Sequence, residues 1–514
     1  MTLDGARAAT LPIGFQSMTM ARGLRAAMTR APDKIAIRHN TVMRTYRELV
    51  DRIDKATNAT INELKLIKGD HAAIVARNSI EYVEIVCGVP EAGVAVATVN
   101  PRLTAGEIVA ICDDAQAKVV FCDNAVAESL RRSTFKTVQR IIEIGDEYEA
   151  WLRKGAAPAA RPLVDEWDVW TIPYTSGTTG KPKGVLISHR SRILTFMGMA
   201  LEYGCYGPDD TFLGTTPMNH GAGICFPMAA LFGGGSMEFM DKFDAEALLR
   251  RLKSGGFSGV FMVPTQFHQL FGLDQKILDE CRGAAIKTII SNAAPLPQAM
   301  KQKIVAYFGE GKLHETYGST EGGVVTNLRP PDQLRKQQCV GTPFLNTLVK
   351  IVDDNDVECP PGIPGELLSL SPYLFNGYWN RPKETAETFK DGWVSVGDIA
   401  KRDTEGFIYI VDRKKDMVIS GGVNIYPREI EEVLFGHPAI ADVAIVGLPD
   451  EKWGERLKAF VVLRAGHSLD GEALAKFCEG KLASYKVPKD IGIVSALPRN
   501  ANGKVLKTEL RGAG

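Results

Sequence analysis

Tyr174-Thr-Ser-Gly-Thr-Thr-Gly-Lys-Pro-Lys-Gly184 packs three glycines, four Ser/Thr hydroxyls and two lysines into eleven residues, with no carboxylate among them. A short apolar run, Val169 to Ile172, precedes it and reads as the end of a strand; Val185-Leu-Ile-Ser-His189 follows. Glycine lets a backbone turn sharply and brings its N–H groups close to a ligand. Hydroxyls and ammonium groups add donors and positive charge, which suits a polyphosphate. Taken alone, a stretch of this kind is more often a solvated turn. A Walker A loop is excluded, because that pattern needs Gly where Thr175 stands and Ser or Thr where Pro182 stands.

At 514 residues the chain is too long for one core and calls for two or more domains. Its 61 basic and 61 acidic side chains cancel, which argues against coating nucleic acid. The nine cysteines are scattered and form no CxxC, so neither a zinc knuckle nor a disulfide framework is indicated. The N-terminus shows no basic segment leading into an apolar stretch, and no run reaches transmembrane length. A cytoplasmic protein without an integral membrane segment is the expectation.

Up to about residue 170, helical and strand signals alternate. Tyr46 to Ala59 has helical spacing, His71 to Ala76 reads as a buried strand, Glu81 to Ala97 as a mostly apolar helix, and Ala117 to Cys122 as another strand. The rhythm resumes after the loop with a strand near Asp210, a helix from Asp244 to Ser254, a strand from Gly259 and a helix from Gln298 to Phe308. Such alternation predicts α/β layers around a largely parallel sheet. From about residue 340, short alternating segments (Leu348 to Val352, Gly365 to Leu370, Gly406 to Val411) separated by Pro/Gly turns predict a β-rich subdomain. The charged cluster Asp412-Arg-Lys-Lys-Asp416 then opens a stretch long enough for a small α/β domain. The fold expected is α/β: a large N-terminal domain of layered subdomains plus the β-rich one, and a small mobile C-terminal domain.

Further motifs stand in a fixed order after the loop: Pro217-Met-Asn-His220, Tyr317-Gly-Ser-Thr-Glu321, Gly392-Trp-Val-Ser-Val-Gly-Asp398, Asp412-Arg-Lys-Lys-Asp-Met-Val-Ile-Ser-Gly-Gly422 and Pro498-Arg-Asn-Ala-Asn-Gly-Lys504. Nearly end to end, the chain resembles the adenylate-forming superfamily of acyl-CoA synthetases, adenylation domains and luciferases. The resemblance implies an acid–thiol ligase that uses ATP, Mg²⁺ and coenzyme A. A carboxylate attacks the α-phosphate of ATP and expels pyrophosphate; coenzyme A then displaces AMP from the acyl-adenylate. It also implies residues 1–412 as the AMP- and acyl-binding domain and 413–514 as the mobile domain, with the hinge at Lys415.

Carried residue by residue, the resemblance places Thr175, Ser176, Gly177, Thr178, Thr179, Gly180 and Lys181 on the β- and γ-phosphates and Thr320 on the α-phosphate. Glu321 is the expected ligand of Mg²⁺, a hard cation that prefers carboxylate and phosphate oxygens. Asp398 would take the ribose hydroxyls, Arg413 a second ribose or phosphate contact, and Tyr317 would stack on adenine beside Asn292, Ala293 and Ala294. The family often has Gly where Asn292 stands. Lys504 would carry its ammonium to the α-phosphate as charge builds there. After rotation of the small domain, Gly421 and Gly422 would line the thiol tunnel. His220 resembles a gate that moves as the adenylate passes to the thiol, not a general base. The Pro498 to Lys504 segment also resembles bacterial synthetase tails whose lysine is acetylated, so a protein acetyltransferase acting on Lys504 is an expected partner.

The acyl pocket implied by the resemblance includes His220, Gly221, Phe226, Val263, Thr316 and Val324, mostly apolar or small, with no Lys or Arg to meet a second carboxylate. A medium-chain fatty or an aryl or cyclic acid is the expected substrate. Two alternatives remain: an acyl-AMP ligase that loads a carrier-protein phosphopantetheine, and a non-catalytic nucleotide-binding regulator.

Overall fold

The computed structural model describes residues 17–176, 182–421, 423–451, 453–499 and 505–512. These build four sheets. The first runs Thr342–Pro343, Gly323–Leu328, Leu313–Ser319, Thr288–Ser291, Gly259–Met262, Thr211–Gly214, Ser236–Phe239, Ile35–His39, Val42–Thr45 in spatial order. Its centre is parallel and its two edges antiparallel. In the second, His71–Val75 lies between Ala95–Val99 and Ala117–Cys122, and Ala95–Val99 pairs with Val169–Ser176. His71–Val75 and Ala95–Val99 are buried along their whole length, as strands covered on both faces must be. Thr45 with Glu48 and Thr104 with Glu107 form capping boxes that start the helices Tyr46–Asn62 and Ala105–Asp114.

The third sheet is antiparallel and carries Leu348–Val352, Gly365–Leu370, Asp398–Arg402 and Ile408–Arg413. Sheet membership changes after Arg413. Val418–Ser420 belongs to the fourth sheet, with Ile440–Asp450, Gly454–Leu463 and Asp490–Ile493, and the helix Pro427–Phe435 packs on it around Ile430 and Leu434. The chain is thus a large N-terminal domain followed by a smaller C-terminal one.

One element departs from expectation. The apolar run from Glu81 to Ala97 is not one helix: Ser79 caps the helix Ile80–Gly88, a 3₁₀ turn spans Val89–Ala92, and the strand Ala95–Val99 follows. Pro90 supplies no backbone donor, and Gly93, at φ 75°, takes the left-handed conformation that ends the turn. Continuous apolar character cannot distinguish a buried helix from a buried strand, so periodicity carried no sign of the switch.

Candidate active site

The two ends of the Gly/Thr-rich stretch form an antiparallel pair, with Tyr174 opposite Gly184, Thr175 opposite Lys183 and Ser176 opposite Pro182. Gly177, Thr178, Thr179, Gly180 and Lys181 lie outside the described residues, as do Gly422 and Lys504. The base of the pair is braced. The Tyr174 hydroxyl donates to Asp114 Oδ2 at 2.8 Å, and Arg381 pairs with Asp114 Oδ1 at 2.6 Å. The Trp379 indole donates to the Asp114 carbonyl at 2.9 Å, while its backbone N–H donates to the Gly184 carbonyl at 2.9 Å. A Cβ on Gly184 would stand 2.9 Å from Ile172 and 3.1 Å from the Tyr174 ring, so only glycine fits there.

Next to this pair, Gly377–Tyr378 adds a short strand opposite Val185 and Leu186. The Tyr378 hydroxyl donates to Glu321 Oε1 at 2.7 Å. Burial and the adjacent carboxylate raise the pKa of Tyr378, so its proton stays in place as a donor. Lys183 lies over the same ring, its ammonium 5.2 Å from the centroid. Glu321 follows Thr320 in the turn between Leu313–Ser319 and Gly323–Leu328, and its carbonyl accepts from Phe375 N–H at 2.9 Å.

Asp398 and Arg413 are cross-strand partners in the third sheet. Arg413 Nε stands 3.0 Å from Asp398 Oδ1, and the Tyr317 hydroxyl donates to Oδ2, so the buried carboxylate is gripped from both sides. Tyr317 thus has its hydroxyl committed to Asp398. Asn292 donates to Thr316 Oγ1 at 2.5 Å, and Ala293, exposed, adopts φ 77°. A left-handed alanine is a strained backbone held by its surroundings.

On the acyl side, His220 starts the helix Gly221–Gly233 without a side-chain capping bond. A Cβ on Gly221 would lie 3.7 Å from Thr320 Oγ1. Burial, with a contribution from Arg102, lowers the His220 pKa to about 4, so the imidazole is neutral at pH 7. Phe226 stacks on Phe261, centroids 4.4 Å apart at 15°, and Tyr203 tilts against it while meeting His314 edge-on. Val263 is half-buried, and Thr316 and Val324 are buried.

Lys415 lies in the 3₁₀ turn Lys414–Asp416, between the third and fourth sheets. Lys414 pairs with Glu366 at 3.0 Å on one side. On the other, Arg511 pairs with Asp416 at 3.1 Å and donates to the Lys415 carbonyl at 3.3 Å. Gly421 sits at φ 59°, where a Cβ would press to 2.9 Å from the Trp453 ring.

Two family models cover most of the chain: AMP-binding enzyme over residues 24–379 and AMP-binding enzyme C-terminal domain over residues 429–504. The chain belongs to the AMP-binding enzyme family. Among relatives of this AMP-binding enzyme is a 2-succinylbenzoate–CoA ligase of Geobacillus sp. (strain WCH70), 32% identical over 487 residues and covering 93% of this chain and 94% of the relative. Its fold matches ATP-bound MatB from Rhodopseudomonas palustris at a TM-score of 0.89, with 29% identity over 97% and 99% of the two chains. It also matches the o-succinylbenzoate CoA synthetase of Bacillus subtilis in complex with its acyl-adenylate intermediate, at a TM-score of 0.86, with 27% identity over 95% and 97%. The AMP-binding enzyme described here is an acid–thiol ligase of the AMP-forming acyl-CoA synthetase type, with ATP and coenzyme A as co-substrates.

Asp114, Tyr378, Trp379 and Arg381 escaped sequence reading. Asp114 and Arg381 meet across 267 positions, and neither stands in a motif whose chemistry announces it.

Proposed function

We propose that this enzyme activates a compact hydrophobic acid, aryl, cyclic or medium-chain, to its acyl-adenylate and passes the acyl group to coenzyme A. Proximity of Thr320 and Gly221 carries the reading: a Cβ built on Gly221, the first residue of the acyl helix, would lie 3.7 Å from Thr320 Oγ1, so the candidate α-phosphate contact neighbours the entrance of that helix. A carboxylate entering past His220 would there face the phosphorus it must attack, and such proximity accounts for much of the barrier lowering in phosphoryl and nucleotidyl transfer.

In this reading the loop from Thr175 to Lys181 holds the β- and γ-phosphates as pyrophosphate departs. Glu321, oriented by Tyr378, would hold the Mg²⁺ that accompanies ATP; one carboxylate plus phosphate oxygens suits that ion. Asp398, oriented by Tyr317 and Arg413, accepts from the ribose hydroxyls. Lys504 neutralises charge at the α-phosphate, and acetylation of its amine by an acetyltransferase would remove that charge. The small domain then pivots at Lys415 and brings Gly421 and Gly422 to the thiol path. His220 stays neutral and gates that path.

The stacked Phe226 and Phe261, backed by Tyr203, His314 and Phe344, fill the ground behind the acyl helix and favour compact acids over long chains. The relatives' 2-succinylbenzoate is an aryl acid but carries two carboxylates, and none of the residues named for the acyl pocket is a Lys or Arg that would meet the second. The test is a panel of benzoates, cyclic acids and fatty acids of graded length, scored for AMP, pyrophosphate and free acyl-CoA. AMP, pyrophosphate and acyl-CoA from a compact acid are expected. ADP and orthophosphate would overturn the reading. Acyl-AMP that reacts only with a carrier-protein thiol would overturn the choice of acceptor.

A further inference from the structure

Lys301 and Glu315 form an ion pair buried almost completely, their side chains 1% and 6% exposed. Two charges withdrawn from water are costly, so a buried pair of this kind is weak evidence for stability. Its surroundings give it another use. Glu315 belongs to the strand Leu313–Ser319, one residue before Thr316 and two before Tyr317, and lies opposite Ser291 at the end of Thr288–Ser291. One carboxylate oxygen meets Lys301, on the helix Gln298–Phe308; the other accepts the backbone N–H of Leu296 at 3.2 Å.

Leu296 closes the short loop that begins at Ser291 and carries Asn292 and the left-handed Ala293. The far end of that loop is tied to Thr316 by Asn292. Both ends are therefore anchored on one strand, by adjacent residues. Arg428, from the first turn of the C-terminal domain's helix, adds a positive charge that acts on both Glu315 and Tyr317.

We propose that Glu315, held in place by Lys301, is a positioning residue for the nucleotide: it pins the Asn292–Ala294 loop against the strand bearing Tyr317 and so sets the affinity for ATP. The inference rests on the reading that this loop borders the adenine. The acceptor offered to Leu296 is the operative feature; the lysine keeps that acceptor buried and aimed.

Two double variants separate this role from a merely structural one. K301M/E315Q removes both charges but retains an oxygen for Leu296 N–H; K301M/E315L removes both charges and the acceptor, and fills the volume with apolar atoms. Calorimetric titration of the full-length protein with ATP should give K301M/E315Q a Kd within about threefold of the wild type. K301M/E315L should bind at least about tenfold more weakly at a melting temperature like that of K301M/E315Q, and its KM for ATP should rise without a matching fall in kcat. Equal ATP affinity in the two variants would overturn the proposal. Should either fail to fold, E315Q and E315A make the same comparison of acceptor kept against acceptor lost. A wild type that binds no ATP would refute the nucleotide reading itself, a result distinct from the failure of the variants to differ.

Discussion

Lys504 is the residue on which the first half-reaction turns under the proposed mechanism, because its flexible ammonium can meet the α-phosphate only while charge accumulates there. Lys504→Ala should lower acyl-AMP formation by about a hundredfold or more, the size of one lost transition-state contact. It should leave thioester formation from preformed acyl-AMP intact; rapid-quench measurement of each half-reaction decides, and equal loss in both would refute the assignment. At this scale, what was legible in the sequence had a chemical reason to sit in a motif. Glu321 stands beside Thr320, and Asp398 follows Gly397 at the end of its motif. Tyr378, which reaches Glu321 across 57 positions, was not legible; Tyr317 was named for its motif, but its bond to Asp398 across 81 positions was not foreseen. An orienting hydroxyl needs only a direction and a distance, which any fold can supply from any part of the chain.

The Lys414–Asp416 turn is the element whose behaviour matters most. It is held by Glu366 from the N-terminal domain and by Arg511 from the last helix, so each domain grips one flank of the bend. Under the proposed pivot, rotation about Lys415 would release or reseat these pairs, both partly exposed and each worth only about 0–1 kcal/mol. Lys415→Pro fixes φ at about −65° and also restricts Lys414. It should leave adenylation within about threefold of the wild type and reduce acyl-CoA formation at least about tenfold. Unchanged overall turnover would remove Lys415 as the pivot. Element boundaries were legible wherever polar punctuation frames the apolar run: Gln298–Phe308 emerges as expected, ahead of Gly309 at φ 94°. Between Glu81 and Ala97 the punctuation is buried inside apolar sequence, and Pro90 and Gly93 were read through.

Across the whole molecule, burial has set the titration of three histidines that lie far apart in the chain. His189 and His314, like His220, fall to about 4, chiefly through desolvation. In His189 the Nδ1 atom accepts from Met20 N–H at 3.2 Å, a bond that protonation would break. The unfolded chain takes up protons near pH 6.5 while the folded one does not, so stability falls as pH drops from about 6.5 to about 4. Buried Glu84, Glu315 and Asp412, whose pKa values are raised by desolvation, pull the opposite way. A paired measurement isolates the histidine. His189→Asn keeps an acceptor for Met20 and cannot titrate, so its urea midpoint should fall less steeply than the wild type's between pH 6.5 and 4. Each such histidine contributes on the order of 3 kcal/mol over that span. Parallel pH profiles would show that His189 is already protonated in the fold.

The short strand Gly377–Tyr378 has a practical implication for protein engineering. Its tyrosine orients Glu321, while the tryptophan that follows ties Asp114 to Gly184 at the base of the Gly/Thr-rich hairpin. A transplant of residues 174–184 into a foreign scaffold would leave behind every one of these supports. The portable unit is therefore discontinuous: the hairpin has to travel with the aromatic pair Tyr378-Trp379, with Arg381 and with the acid at position 114.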